Sequence, residues 1–243
     1  MTLLAVSHGT SSPDGQGAVT ALVDSVARAR QELDVVAAFV DVQQPDVAAS
    51  LAALDPRGIV VVVPLLLSAG YHVHVDLREE LAAAEEHTAV LAAALGPDDR
   101  LVALLARRLR EAGLRPGDRV VLAAAGSSDR RAVADCAETA RRLGIVLRRE
   151  VGVGFISAAT PRLSDAVIDA RAQAAGGRVV LASYLLAPGY FAALAHEAGA
   201  DVVSAPLLVP NRFPPAELVT LVGERYDEAV ASSLAATTAG VLS

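Results

Sequence analysis

Val60-Val61-Val62-Val63-Pro64-Leu65-Leu66-Leu67-Ser68-Ala69-Gly70-Tyr71-His72-Val73-His74-Val75-Asp76 is the stretch that decides the fold. The valine run has no polar face, which is the pattern of a parallel strand covered on both sides. Pro64, which has no N–H to donate, is the expected end of the strand. The chain then runs through Ser68-Ala69-Gly70 and presents His72, His74 and Asp76. Ligand-type side chains just past the carboxyl end of such a strand lie where open α/β sheets bind their ligands.

Outward from this stretch, strands and helices alternate. Residues 3–6 read as a first strand, 7–15 as a loop and 18–33 as a helix with Val19, Leu22, Val23 and Val26 at helical spacing. Residues 35–40 read as a second strand ending at Asp41, with a helix following Gln44-Pro45. Residues 59–63 are the third strand, 77–86 a charged helix, 89–94 a weaker fourth strand and 98–112 a helix. Residues 113–118 form a turn-rich linker. The pattern then restarts: strands at 120–124, 145–153, 179–183 and 202–205, and helices at 131–143, 163–175, 193–198 and 215–230.

The two halves align with each other. His8-Gly9-Thr10-Ser11 falls on Ala125-Gly126-Ser127-Ser128, and Phe39-Val40-Asp41 through Pro45 falls on Phe155-Ile156-Ser157 through Pro161. Leu66 through His72 falls on Leu185 through Phe191, and Leu95-Gly96-Pro97 falls near Leu208-Val209-Pro210. The expected fold class is therefore α/β, with two tandem domains, 1–115 and 116–243, each a parallel four-stranded sheet flanked by helices. The alignment also carries functional information. Three strand ends of the first half hold His8, Asp41 and His72, and the second half has Ala125, Ser157 and Phe191 in their places. Groups that disappear together worked together.

Successive parallel strands bring their carboxyl ends to one edge, so His8, Asp41 and His72 can converge. Two imidazoles and a carboxylate suit Fe, Co, Ni or Zn, and the same groups serve as proton acceptors near neutral pH. Gly9 and Gly70 let backbone approach a bulky ligand, and Leu65, Leu66, Leu67 and Tyr71 can line an apolar wall. Each residue also has a plainer reading. His8 alone can be a loop hydrogen-bonder, and Asp41 can cap the helix near Pro45. His74 is a supplementary or rim ligand, and His87 and His196 read as solvent-facing. Asp76 has capping-box spacing to Glu79. His72-Val73-His74-Val75-Asp76 also resembles the first metal motif of metallo-β-lactamase-like hydrolases, but Leu77 stands where that motif has His and the repeated βα pattern is the wrong architecture.

Composition excludes several classes. The chain of 243 residues is 53% hydrophobic, which suffices for a sizeable core, but only 3% aromatic, and its net charge is −7. Residues 1–116 carry 9 Arg against 15 Asp and Glu, and residues 117–243 carry 12 against 13. Neither half is basic, so no nucleic-acid or anionic-membrane partner is expected. The basic residues are all Arg, so no Schiff-base or P-loop lysine exists. A single cysteine, Cys136, forms no internal disulfide or thiolate cluster. The first strand has no signal-peptide pattern, and the apolar run at 59–67 is too short to span a bilayer. A cytoplasmic location follows as the expectation.

Ser7-His8-Gly9-Thr10, Phe39-Val40-Asp41 through Gln44-Pro45, and Val63 through His72 with Asp76 together resemble the CbiX/SirB family of sirohydrochlorin chelatases, in its long two-half form. The resemblance covers essentially the whole chain. It implies that His8 and His72 are the catalytic, metal-contacting pair, assisted by Asp41. Family members often have Glu there; Asp41 is one methylene shorter, which suits a water-bridged or proton-accepting role. Gly9, Thr10, Leu66, Leu67, Ser68, Gly70 and Tyr71 are the implied substrate-binding residues. The implied reaction is ATP-independent insertion of Fe2+ into sirohydrochlorin to form sirohaem. The alternatives are cobalt insertion for cobalamin synthesis, or a carrier of metal or tetrapyrrole without turnover. The implied partners are a small-molecule tetrapyrrole and a divalent metal, with no cofactor beyond that metal, in a monomer or homodimer. Arg78, Arg130 and Arg131 are candidates to meet the substrate's carboxylates, with a solvated surface as the favoured reading of each.

Overall fold

The computed structural model describes residues 1–68, 77, 81, 88–174 and 176–241. Strands β1 (Thr2–Ser7), β2 (Asp34–Phe39), β3 (Ile59–Pro64) and β4 (Thr88–Leu91) form a parallel sheet in the order β2-β1-β3-β4. Strands β5 (Arg119–Ala124), β6 (Val151–Phe155), β7 (Val179–Tyr184) and β8 (Val202–Val203) form a second, in the order β6-β5-β7-β8. The described helices are α1 (Pro13–Ala29), α2 (Val47–Ala52), α3 (Asp99–Glu111), α4 (Arg130–Leu147), α5 (Leu163–Ala172), α6 (Tyr190–His196) and α7 (Ala216–Val241).

The valine run is buried on both faces, as its lack of a polar alternate requires. Val61 and Val63 point into a large core shared by both halves, whereas Val60 and Val62 face a separate cluster with Leu4, Val6, Val47 and Leu51. In the second sheet the outer cluster comprises Val121, Val179, Leu181 and the apolar face of α5. The shared core contains residues of α1, α3, α4 and α7 between the inner faces of the two sheets.

Strand register matches between the halves. Ala5 lies opposite Ala37 and Val63, and Leu122 lies opposite Val153 and Ala182. The fourth strand corrects the sequence alignment by one residue. Leu95 N–H donates to Leu66 O as Leu207 N–H donates to Leu185 O, so Leu95 corresponds to Leu207 rather than Leu208.

The sheets divide by halves, but the terminal helices are exchanged. Helix α3 packs on β7 and α4 of the second half, and α7 packs on β3, β4 and α1 of the first. One arginine on each fixes the exchange. Arg108 on α3 donates from Nε and a terminal guanidinium nitrogen to Pro206 O and Leu207 O, at 3.1 and 2.8 Å, and pairs with Glu111. Arg225 on α7 donates in the same way to Ala94 O and Leu95 O, at 2.9 and 3.1 Å, and pairs with Glu228. Each guanidinium thereby satisfies carbonyls of the segment that follows the fourth strand of the other half's sheet.

Some element boundaries differ from the sequence reading. Helix α1 begins at Pro13 rather than near residue 18, because Ser12 caps it and Pro13 occupies its first turn. Ile145 and Val146 belong to α4 and not to a strand; they are 64% and 56% exposed, so no sheet face claims them. The helix stops at Arg148, which is left-handed at φ 54°, and β6 starts at Val151. The final helix continues to Val241, past the expected end at residue 230. Its extension is rich in alanine, a strong helix former.

Candidate functional site

The carboxyl ends of β2, β1 and β3 stand side by side, and the hydrogen-bond ladder continues past them. Val40 N–H donates to Ser7 O and Asp41 N–H to His8 O, both at 3.0 Å, while Leu65 N–H donates to Val6 O at 2.7 Å. His8 and Asp41 are therefore adjacent across two strand exits, and both are exposed. Gly9 makes this approach possible. Its φ is +90°, and a Cβ there would collide with the Asp41 carbonyl. The second half repeats the device without the chemistry. Gly126 has φ +94° and lies against the Ser157 carbonyl, and Ser157 N–H donates to Ala125 O at 2.9 Å.

Asp41 is not a helix cap. Asp46 holds that position on α2, accepting from Ala49 N–H at 2.7 Å, while Asp41 Oδ1 accepts from Val42 N–H beside it. Thr10 is fixed from both sides. Its N–H donates to Gln43 Oε1 at 2.9 Å, and its carbonyl accepts from Gln16 Nε2 at 2.8 Å. The internal comparison could have found both glutamines, since Val133 and Ala159 stand at the corresponding places in the second half.

Leu66, Leu67 and Ser68 are half-buried at the β3 exit. Gly70, Tyr71, His72, His74, Asp76, Arg78 and His87 lie outside the described residues. Among the described residues, no three His, Cys, Asp or Glu gather closely enough to hold a metal. The described part of the edge contributes the His8 imidazole and the Asp41 carboxylate. Arg130 and Arg131 are exposed at the start of α4, and Arg131 pairs with Asp129 at 3.3 Å. His196 is exposed at the end of α6.

The second half reaches this edge at two places. Gly189 lies against Thr10 Oγ1, and Gly15 in the first turn of α1 packs on the Pro188 carbonyl with no room for a Cβ. Deeper in, Tyr184 donates its hydroxyl to Leu67 O at 2.7 Å and accepts from Thr139 Oγ1 at 3.4 Å. Burial pushes the Tyr184 phenol well above its ordinary range, so it remains a donor. Burial also pushes the Cys136 thiol up to about 12, against a hydrogen bond with Ser68 that pulls it down. The β3 exit is thus held by side chains of the second half.

Solved structures share this architecture. SirB from Bacillus subtilis with Fe3+ superposes with a TM-score of 0.74 at 22% identity, covering 97% of this chain and 98% of that one. SirB from Bacillus subtilis subspecies spizizenii in complex with cobalt gives 0.73 at 21% identity over 94% and 95%. Among curated proteins, the sirohydrochlorin cobaltochelatase of Methanosarcina barkeri is 26% identical over 123 residues, which is 45% of this chain and 95% of that protein. The fold is that of the chelatases. The CbiX family profile matches residues 2–112 and 119–202, and the chain belongs to the CbiX family. It is a metal chelatase, a lyase that does not need ATP. Among the described residues, no helix is long and apolar enough to cross a membrane.

Proposed function

We propose that this protein inserts a divalent metal ion into sirohydrochlorin. The observation that carries the reading is the adjacency of His8 and Asp41 at two strand exits, in a half whose duplicate keeps the backbone geometry and lacks both groups. Metalation requires the inner pyrrole nitrogens to lose their protons and the hydrated ion to shed water. An imidazole beside the ring does either task, as acceptor of a proton or as a ligand that replaces water. His8 takes that role, and His72, on the segment that follows the β3 exit, completes a pair. Asp41 accepts protons or holds a bridging water. Fixing ring and ion together removes the entropy of their encounter. The metal is the substrate, and the reading calls for no further cofactor.

Iron is the first reading for the ion. Cobalt is the second, favoured by curated relatives that carry the name cobaltochelatase. The test is an anaerobic absorbance assay with sirohydrochlorin and either Fe2+ or Co2+. Turnover beyond one equivalent of protein supports the enzyme, and the ratio of kcat/KM values assigns the ion. Stoichiometric binding without conversion would make the protein a carrier. Full activity in both His8→Ala and His72→Ala would remove the proposed site.

A further inference from the structure

The geometry points to an aromatic wall for the tetrapyrrole ring, built by Tyr190 and Phe191 of the half that lacks the chemical groups. This rests on the chelatase reading above. The two rings are 6.0 Å apart between centroids and tilted by 49°. Tyr190 is 72% exposed, in a chain with only 3% aromatic residues. They follow Gly189 directly, and Gly189 lies against Thr10 Oγ1, two residues from His8.

Phe191 occupies the place in the second half that His72 occupies in the first. The duplication therefore makes two walls of opposite character. One offers an imidazole and a carboxylate, and the other offers aromatic faces with no proton acceptor at the corresponding position. A flat conjugated macrocycle stacks on the exposed Tyr190 ring, with Phe191, tilted by 49°, backing it from the side, and its carboxylate rim stays in water. Stacked there, the ring has one face covered, which leaves its other face for delivery of the ion.

The test is equilibrium binding of metal-free sirohydrochlorin, followed by its own fluorescence, together with steady-state rates, for the full chain and for Tyr190→Ala/Phe191→Leu. The expected result is a dissociation constant and a tetrapyrrole KM raised on the order of 10- to 100-fold, with kcat at saturation and the metal KM within about threefold. Tyr190→Phe, which keeps the ring, restores wild-type binding in the same assay. Thermal unfolding of each variant checks that the fold survives. Wild-type affinity in the folded double variant overturns the wall while leaving the chelatase reading in place. Failure of the wild type to bind or metallate sirohydrochlorin overturns both.

Discussion

The duplicated chain contains its own control for the site, in the pair Gly9→Ala and Gly126→Ala. Both glycines sit at left-handed φ, +90° and +94°, and each lies against a carbonyl that an added Cβ would strike. An alanine at such a φ costs about 1–2 kcal/mol. Relieving the collision adds about 1–3 kcal/mol, the usual range for overpacking. Each variant should therefore lose about 2–5 kcal/mol, out of about 5–15 for a whole domain, and the two losses should agree within about 1 kcal/mol in urea unfolding. Their activities should not agree. Gly9→Ala separates the exits that carry His8 and Asp41, and a displacement of about 1 Å at such a site costs on the order of 100-fold in rate. Gly126→Ala moves Ala125 and Ser157, which have no part in the reaction, and should keep kcat within about threefold. Rates are measured well below the unfolding midpoint of either variant. Equal loss of activity in the two, or full activity in Gly9→Ala, would refute the assignment of function to the first half's strand ends.

Arg108→Met and Arg225→Met each leave two buried carbonyls without their charged donor and keep most of the aliphatic stem, so each should cost about 2–4 kcal/mol, read from denaturant midpoints. The two costs should be alike because the bonds are the same in kind. Tyr184→Phe removes the bond to Leu67 O and should cost about 1–2 kcal/mol of stability. Its kcat should fall more than its tetrapyrrole KM rises, since the β3 exit leads to His72. Burial pushes the Cys136 thiol from its ordinary value near 9 up to about 12. A group whose pKa is raised by folding stabilises fully below its unfolded value, so stability should fall from pH 9 towards pH 12. In Cys136→Ala part of that slope should vanish, while the raised Tyr184 and Tyr226 phenols keep contributing to it, as urea midpoints across this range will show.

The valines at 60–63 were legible because both their faces are buried in one chain, and burial on both faces leaves no alternation to misread. The repeat was legible because Gly9 and Gly126 meet the same steric demand, and that demand preserves sequence. Ile145 and Val146 misled because β-branched residues suggest a strand, whereas local helix continuity decides where no sheet face is available. The roles of Tyr184, Arg108 and Arg225 were hidden for a different reason. Each acts on backbone carbonyls of the other half, and a carbonyl leaves no mark on residue type. Gln16 and Gln43 were within reach, since both are polar where the duplicate is apolar.

The exchange of α3 and α7 sets an order on synthesis. The inner face of the first sheet is covered in part by α7, the last described helix, which packs on β3, β4 and α1. During translation, β1 to β4 leave the ribosome long before that helix exists, with Val61 and Val63 lacking part of their cover. The first half cannot finish folding when its own sequence is complete; it waits for the second. Parallel pairing between distant segments is slow and exposes apolar surface meanwhile. The nascent first half is thus the stage at which apolar surface waits longest for its cover, although it carries the groups on which the reaction depends.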